Sequence, residues 1–162
     1  MEQKDSQVKL NENFQLKGSV HVMLLGPDGK IKQEHTNHNL VVTVGKTYLA
    51  TFLTPGNHNT GTEFAQYVAL GTVQTGPSAG DTALNAESVV PGYSRVAGTL
   101  SFSSNVWTNT ATFPPGNGTD AIKEAGLFSL SSGGTLFAHQ TFNVYNKAAG
   151  DTMIIVWSVT FS

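Results

Sequence analysis

Cysteine is absent from this chain, and with it go disulfide staples, thiolate nucleophiles and sulfur-ligated zinc. Charge is scarce too. Only 12% of the 162 residues are Asp, Glu, Lys or Arg, against a usual share of roughly 25%, and Thr, Ser, Asn and Gly fill the gap. Such a surface is solvated by hydroxyls and amides, as in β-rich proteins. The formal charge of -2 gives no basic field, which argues against backbone-driven binding of DNA or RNA. No apolar stretch approaches the ~20 residues of a membrane-spanning helix, and Met1 to Gln7 lack the apolar run of a signal peptide. The expectation is a soluble protein that is not sent through the general secretory route and has neither nucleic acid nor membrane as a partner.

The motifs of common chemistries are missing as well. Gly45-Lys46-Thr47 resembles the end of a phosphate-binding loop, but Leu40 stands where the first glycine of that motif belongs, so the backbone cannot cradle phosphate. No Gly-x-Ser-x-Gly elbow offers a nucleophilic serine. The acids are scattered, with no adjacent pair for glycoside chemistry. His35 and His38 could share a metal only on a helix, and their Asn-rich surroundings point to exposed loop histidines instead. His21 and His139 fall in strand patterns, where a half-buried, hydrogen-bonded imidazole is ordinary. Asp120, Glu124 and Asp151, read as loop residues, would bind a cation only if the fold united them. The expectation is a protein that is not an enzyme, with no catalytic residue, cofactor or metal.

What is present is strand. Met153, Ile155, Trp157, Val159 and Phe161 alternate with Thr152, Ser158, Thr160 and Ser162, giving a closing strand with one apolar face. Val20 to Leu25 and Lys30 to Glu34 flank Gly26-Pro27-Asp28-Gly29, a turn that presets a hairpin. Further hairpins are expected around Ser103-Ser104-Asn105 and around Ser131 to Gly134. Tyr67 to Thr72 reads as a short strand, Val44 to Leu53 as a short helix stopped before Pro55, and Thr82 to Ala86 as one helical turn capped by Asp81. Asn57 to Thr62 reads as a loop. Gly-Asp-Thr occurs at 80–82 and 150–152, where Asp suits a turn.

Strands at roughly 8 to 12-residue spacing define the fold class. It is mainly β: a single antiparallel β-sandwich or barrel-like domain with one short helix and an extended N-terminal arm. The arm is residues 1–18 and the domain residues 19–162. Polar except for Val8, Leu10, Phe14 and Leu16, the arm buries too little to order itself. Either a neighbouring subunit holds it, or it packs back on its own domain through Leu10, Phe14 and Leu16. Trp157 belongs to the core, whereas Trp107, on a polar strand beside Thr108 and Asn109, is the candidate for an outside contact. The expected subunit-contact residues are therefore Val8, Leu10, Phe14, Leu16 and Trp107.

A series of blocks carries a resemblance. In order they are Val68-Ala69-Leu70-Gly71-Thr72, Gly76 to Leu84, Ile122-Lys123-Glu124-Ala125-Gly126-Leu127-Phe128, Gly133 to Ala138, Phe142-Asn143, Asn146-Lys147, and Gly150-Asp151-Thr152 leading into Val156 to Phe161. This order resembles small structural proteins of tailed bacteriophages, over about residues 20 to 162, and similar blocks occur in phage tail and fibre proteins. The resemblance implies a virion protein assembled in the bacterial cytoplasm. Its first form is a capsid decoration or cement protein, a homotrimer that binds the major capsid protein and braces the shell, with threefold positions matched by its symmetry. Its second form is a tail, neck or fibre-base component, which could touch a host receptor through Trp107 and Tyr93. Either would donate arms or edge strands, and residues 1–18 and 151–162 are the expected devices.

Overall fold

The computed structural model describes residues 15–52, 65–116 and 119–162. The chain forms β1 (Leu16–Leu25), β2 (Ile31–Val41), α1 (Thr43–Phe52), β3 (Tyr67–Gly71), β4 (Val96–Ala97), β5 (Thr99–Ser103), β6 (Val106–Phe113), β7 (Asp120–Phe128), β8 (Leu136–Lys147) and β9 (Thr152–Phe161). All strand pairs are antiparallel, in the order β4-β3-β7-β8-β2-β1-β9-β6-β5. The fold is mainly β, a nearly closed barrel-like sheet with one helix among the described residues.

Local chemistry places these elements. Alternation along β1 turns Val20, Val22 and Leu24 into the core. Pro27 and a positive φ of 74° at Gly29 then make the turn to β2, closed by the Gly29 amide donating to the Gly26 carbonyl at 2.9 Å. Ser104, with φ 52°, turns β5 into β6, and Gly133 and Gly134, with φ 63° and 72°, turn β7 toward β8. All three expected hairpins are present. The helix begins one residue before its expected start, and Gly45 is what seats it: a Cβ there would collide with the Phe137 backbone on β8. The residues of the phosphate-loop look-alike thus press a helix onto a strand.

β4 and β5 are separated only by Gly98, and they pair with opposite ends of the sheet, β3 and β6. They act as one strand that changes partners at a corner. The Gly98 amide donates to the Gln66 carbonyl at 2.9 Å, and buried Asn109 donates its amide to the Ala65 and Gln66 carbonyls at 3.2 and 2.9 Å. These bonds draw the two ends together.

Inside lies one core of β1, β6, β7, β8 and β9 side chains, with Trp157 fully buried among them. Met153, Ile155 and Val159 share its face, as the alternation of the closing strand requires. β9 is hydrogen-bonded to β1 on one side and β6 on the other along most of its length. It therefore offers no backbone edge, which corrects the expectation that 151–162 could serve as a donated edge strand. Residues 16–18, assigned from sequence to the arm, are the start of β1, because Leu16 pairs with Phe161. Among the described residues, no helix is long and apolar enough to cross a membrane.

Other expectations are corrected. Thr82 to Ala86 form bends rather than a helical turn, since Asp81 uses its carboxylate elsewhere. His35 and His38 lie exposed on β2, not in a loop, and an odd spacing puts them on opposite faces. Tyr93 is buried in the core and cannot stand at a distal tip.

Candidate functional site

The start of β1, the end of β9 and the β5–β6 turn converge at one end of the barrel. Gln15 and Ser162 exchange backbone hydrogen bonds there, and the Asn105 side-chain amide donates to the Phe161 carbonyl at 2.7 Å. Leu16 lies opposite Phe161 on one flank of β9, and Trp107 opposite Val159 on the other. Two of the expected contact residues, Leu16 and Trp107, are thus brought to the same rim. Val8, Leu10 and Phe14 lie outside the described residues, as do the 57–62 loop and the expected helix end at Leu53.

Between this rim and α1 is an apolar cavity of about 190 Å³, lined by Tyr48, Leu49, Ala65, Trp107, Phe137, Val159 and Phe161. The Trp107 ring meets Phe137 edge to face at a centroid distance of 6.4 Å, so the indole is fixed while its outer face stays open. On that outer side Trp107 and Phe161 also line a groove with Phe102, Ser104, Asn105 and Val106. Phe102 is 82% exposed and Leu100, two residues before it on β5, 37%. Rings held in place beside exposed apolar side chains suit contact with another protein, where aromatic anchors supply much of the binding energy. The sequence reading missed Phe102. Its alternation with Leu100 on a strand otherwise made of Ser and Thr was the available signal.

A second cluster is buried under the loop that precedes β4. His139 of β8 and Glu124 of β7 are both 0% exposed in their side chains, and the His139 Nε2 donates to the Glu124 Oε2 at 2.9 Å. The other ring nitrogen, Nδ1, donates to the Asp81 Oδ2 at 2.8 Å. Glu124 also accepts the backbone amides of Ala86 and Asn85 at 2.8 and 3.1 Å, and Asp81 accepts that of Ser78 at 2.8 Å. Burial disfavours the imidazolium, but hydrogen bonds to Glu124 and then Asp81 outweigh it and raise the His139 pKa above 6.5. Burial likewise opposes the Glu124 charge, yet His139 and the two amides hold its pKa below the usual 4.5. Asp81 is lowered from 3.8, with desolvation again overcome by Ser78 and His139. Acid, imidazolium and acid form a charged sandwich.

That sandwich binds the loop and leaves little for catalysis. A general base needs a nitrogen free to take a proton, and both nitrogens of His139 already bond carboxylates. A charge inside the apolar strands at 120–128 and 136–147 had to have a partner. From the sequence, Glu124 reads as a loop residue and its pairing with His139 goes unseen, although a lone charge in an apolar strand signals a buried partner; the union of the pair with Asp81 depends on a loop path that periodicity does not encode.

The three acids considered for a cation are separated. Glu124 holds His139, Asp120 accepts the Ser88 hydroxyl at 2.6 Å, and Asp151 takes the Lys32 ammonium at 2.8 Å. Among the described residues no group of three or more His, Asp or Glu could hold a metal ion. No protein-family model matches the chain, and no curated protein matches it.

Proposed function

We propose that this chain is a non-enzymatic structural protein of a tailed-phage virion, a decoration or cement protein that binds the major capsid protein and stabilises the shell as a homotrimer. The observation that carries the reading is the aromatic rim. Trp107 and Phe102 line one groove with Phe161, and Phe161 lies opposite Leu16 at the start of β1, so an exposed apolar contact lies at the end of the barrel where β1 begins. The order of phage-like sequence blocks supports it, as does the engagement of both His139 nitrogens by carboxylates. A closed β-domain with few charges suits a part that is repeated many times on a shell without binding the DNA inside.

Quantitative mass spectrometry of the encoding phage's purified virions, scaled to the major capsid protein, tests this. Shell symmetry makes copies on the order of hundreds the expected result. About a dozen copies would move the protein to the tail, neck or fibre base, where such rings have low-order symmetry, and none would remove it from the virion.

A further inference from the structure

Residues 76–88 cross the outer face of β3, β7 and β8 as a strap. Leu84 fills a small apolar cluster with Val42, Ala69, Phe128 and Leu136, separate from the barrel core. Two glycines make room for it. A Cβ on Gly126 would meet Leu84 at 2.8 Å, and one on Gly71 would meet the Glu124 carboxylate and the Ala86 carbonyl at 2.5 and 2.6 Å. The far end of the strap is pinned independently. Glu87 bridges to Gly71 and takes two 2.8 Å bonds from Arg95, whose guanidinium lies 3.5 Å over the Phe128 ring. The stretch before it depends on Asp81 and Glu124 gripping His139, with two backbone bonds, from the Thr43 amide to the Ala79 carbonyl and from the Thr72 amide to the Ala86 carbonyl.

We infer that Asp81, His139 and Glu124 form a latch that closes the strap over this apolar face, and that the strap releases at residues 76–86 when the pH leaves the range in which all three groups are charged. Each partner needs the others. A neutral imidazole has one N–H and leaves one carboxylate facing a lone pair. A protonated carboxyl loses its charge-assisted bond. Among the described residues, α1 carries Tyr48 and the exposed Lys46, β2 places Leu40 opposite His139 with the exposed His38 two residues before it, β7 places Gly126 there, and β3 carries Tyr67 at the edge of the apolar cluster but no carboxylate. Glu87 is held by Arg95.

The signs follow from linkage. His139 is raised, so its contribution is complete below 6.5 and is lost as the pH climbs through the higher folded value. Glu124 and Asp81 are lowered, so theirs is complete above 4.5 and is lost as the pH falls through their folded values. The latch is strongest between these limits.

Hydrogen exchange of the intact chain, normalised to intrinsic rates, tests the latch from pH 4 to 8.5. The Ser78, Asn85 and Ala86 amides, which bond the two carboxylates, should lose protection by about tenfold per pH unit above 6.5 until His139 deprotonates. The Val20 and Val22 amides of β1 should not follow. In His139→Gln the alkaline loss should vanish. Should that variant fail to fold, nitrogen NMR of His139 in the unmodified protein must show both ring nitrogens protonated at pH 6, with loss of that state coinciding with loss of strap protection. Strap protection flat above pH 6.5, loss in step with β1, or a neutral imidazole at pH 6 would each overturn the latch.

Discussion

Single residues in this protein show how far a buried polar group can be driven by its neighbours. Lys147 is fully buried on β8, with its ammonium 3.3 Å from the Pro114 carbonyl and 5.7 Å from the centre of the Tyr93 ring. Burial lowers its pKa from 10.5, and attraction to Asp151 offsets only part of that. Burial, reinforced by Asp120 and Asp151, also pushes the Tyr93 hydroxyl up to about 12, so that ring stays neutral beside the cation. A buried ammonium with so little compensation is expected to contribute through its alkyl stem and little through its charge. Lys147→Met should then leave stability within about 1 kcal/mol of the parent or raise it. Lys147→Ala, which empties the space of the stem, should cost about 2–5 kcal/mol as other large-to-small core changes do. Urea unfolding of both variants decides the matter: if Met is as damaging as Ala, the ammonium is the part that counts.

At the level of elements, the hairpins were legible because their turns depend on residues with local meaning. Pro27 and Gly29 fix one, Gly133 and Gly134 another, and a strand pattern on both sides leaves little choice. The face of β9 was legible for the same reason. Its two neighbours were not, since pairing depends on chain path rather than period, and so the strand looked like an edge when it lies inside the sheet. Barrel closure was hidden in one glycine. Gly98 sits where Val96 to Ser103 passes from β3 to β6, and a Cβ there would strike the Asn109 side chain that bonds Ala65 and Gln66. Gly98→Ala is expected to lower stability by about 1–3 kcal/mol through overpacking of that seam. Gly76→Ala, where a Cβ meets nothing within 4 Å, should change it by no more than about 0.5 kcal/mol. Equal effects in denaturant melts would mean that Gly98 has no special place in closing the barrel.

For the whole molecule, the question is which part meets a neighbour. β9 is enclosed by β1 and β6, and β4–β5 joins the two ends of the sheet, so donation of a strand edge is a poor route. The rim is the better one. Trp107, held against Phe137, offers a fixed ring, Phe102 is almost fully exposed, and Gln15, just before β1, bonds Ser162 at the same end of the barrel. If both devices bind the shell, they should fail separately and without unfolding. A chain lacking residues 1–14 keeps all of β1, which starts at Leu16, and Phe102→Ala should stay within about 0.5 kcal/mol of the parent as an exposed substitution. Under the proposed decoration role, each is expected to weaken binding to expanded phage capsids by at least about tenfold, the effect of losing roughly 1.4 kcal/mol of contact. Phe102→Ala removes an anchor and should act mainly on dissociation. Sedimentation of labelled protein with capsids measures both. Undiminished binding of the truncated chain would leave the rim as the sole contact, and undiminished binding of both variants would place the docking surface elsewhere on the barrel.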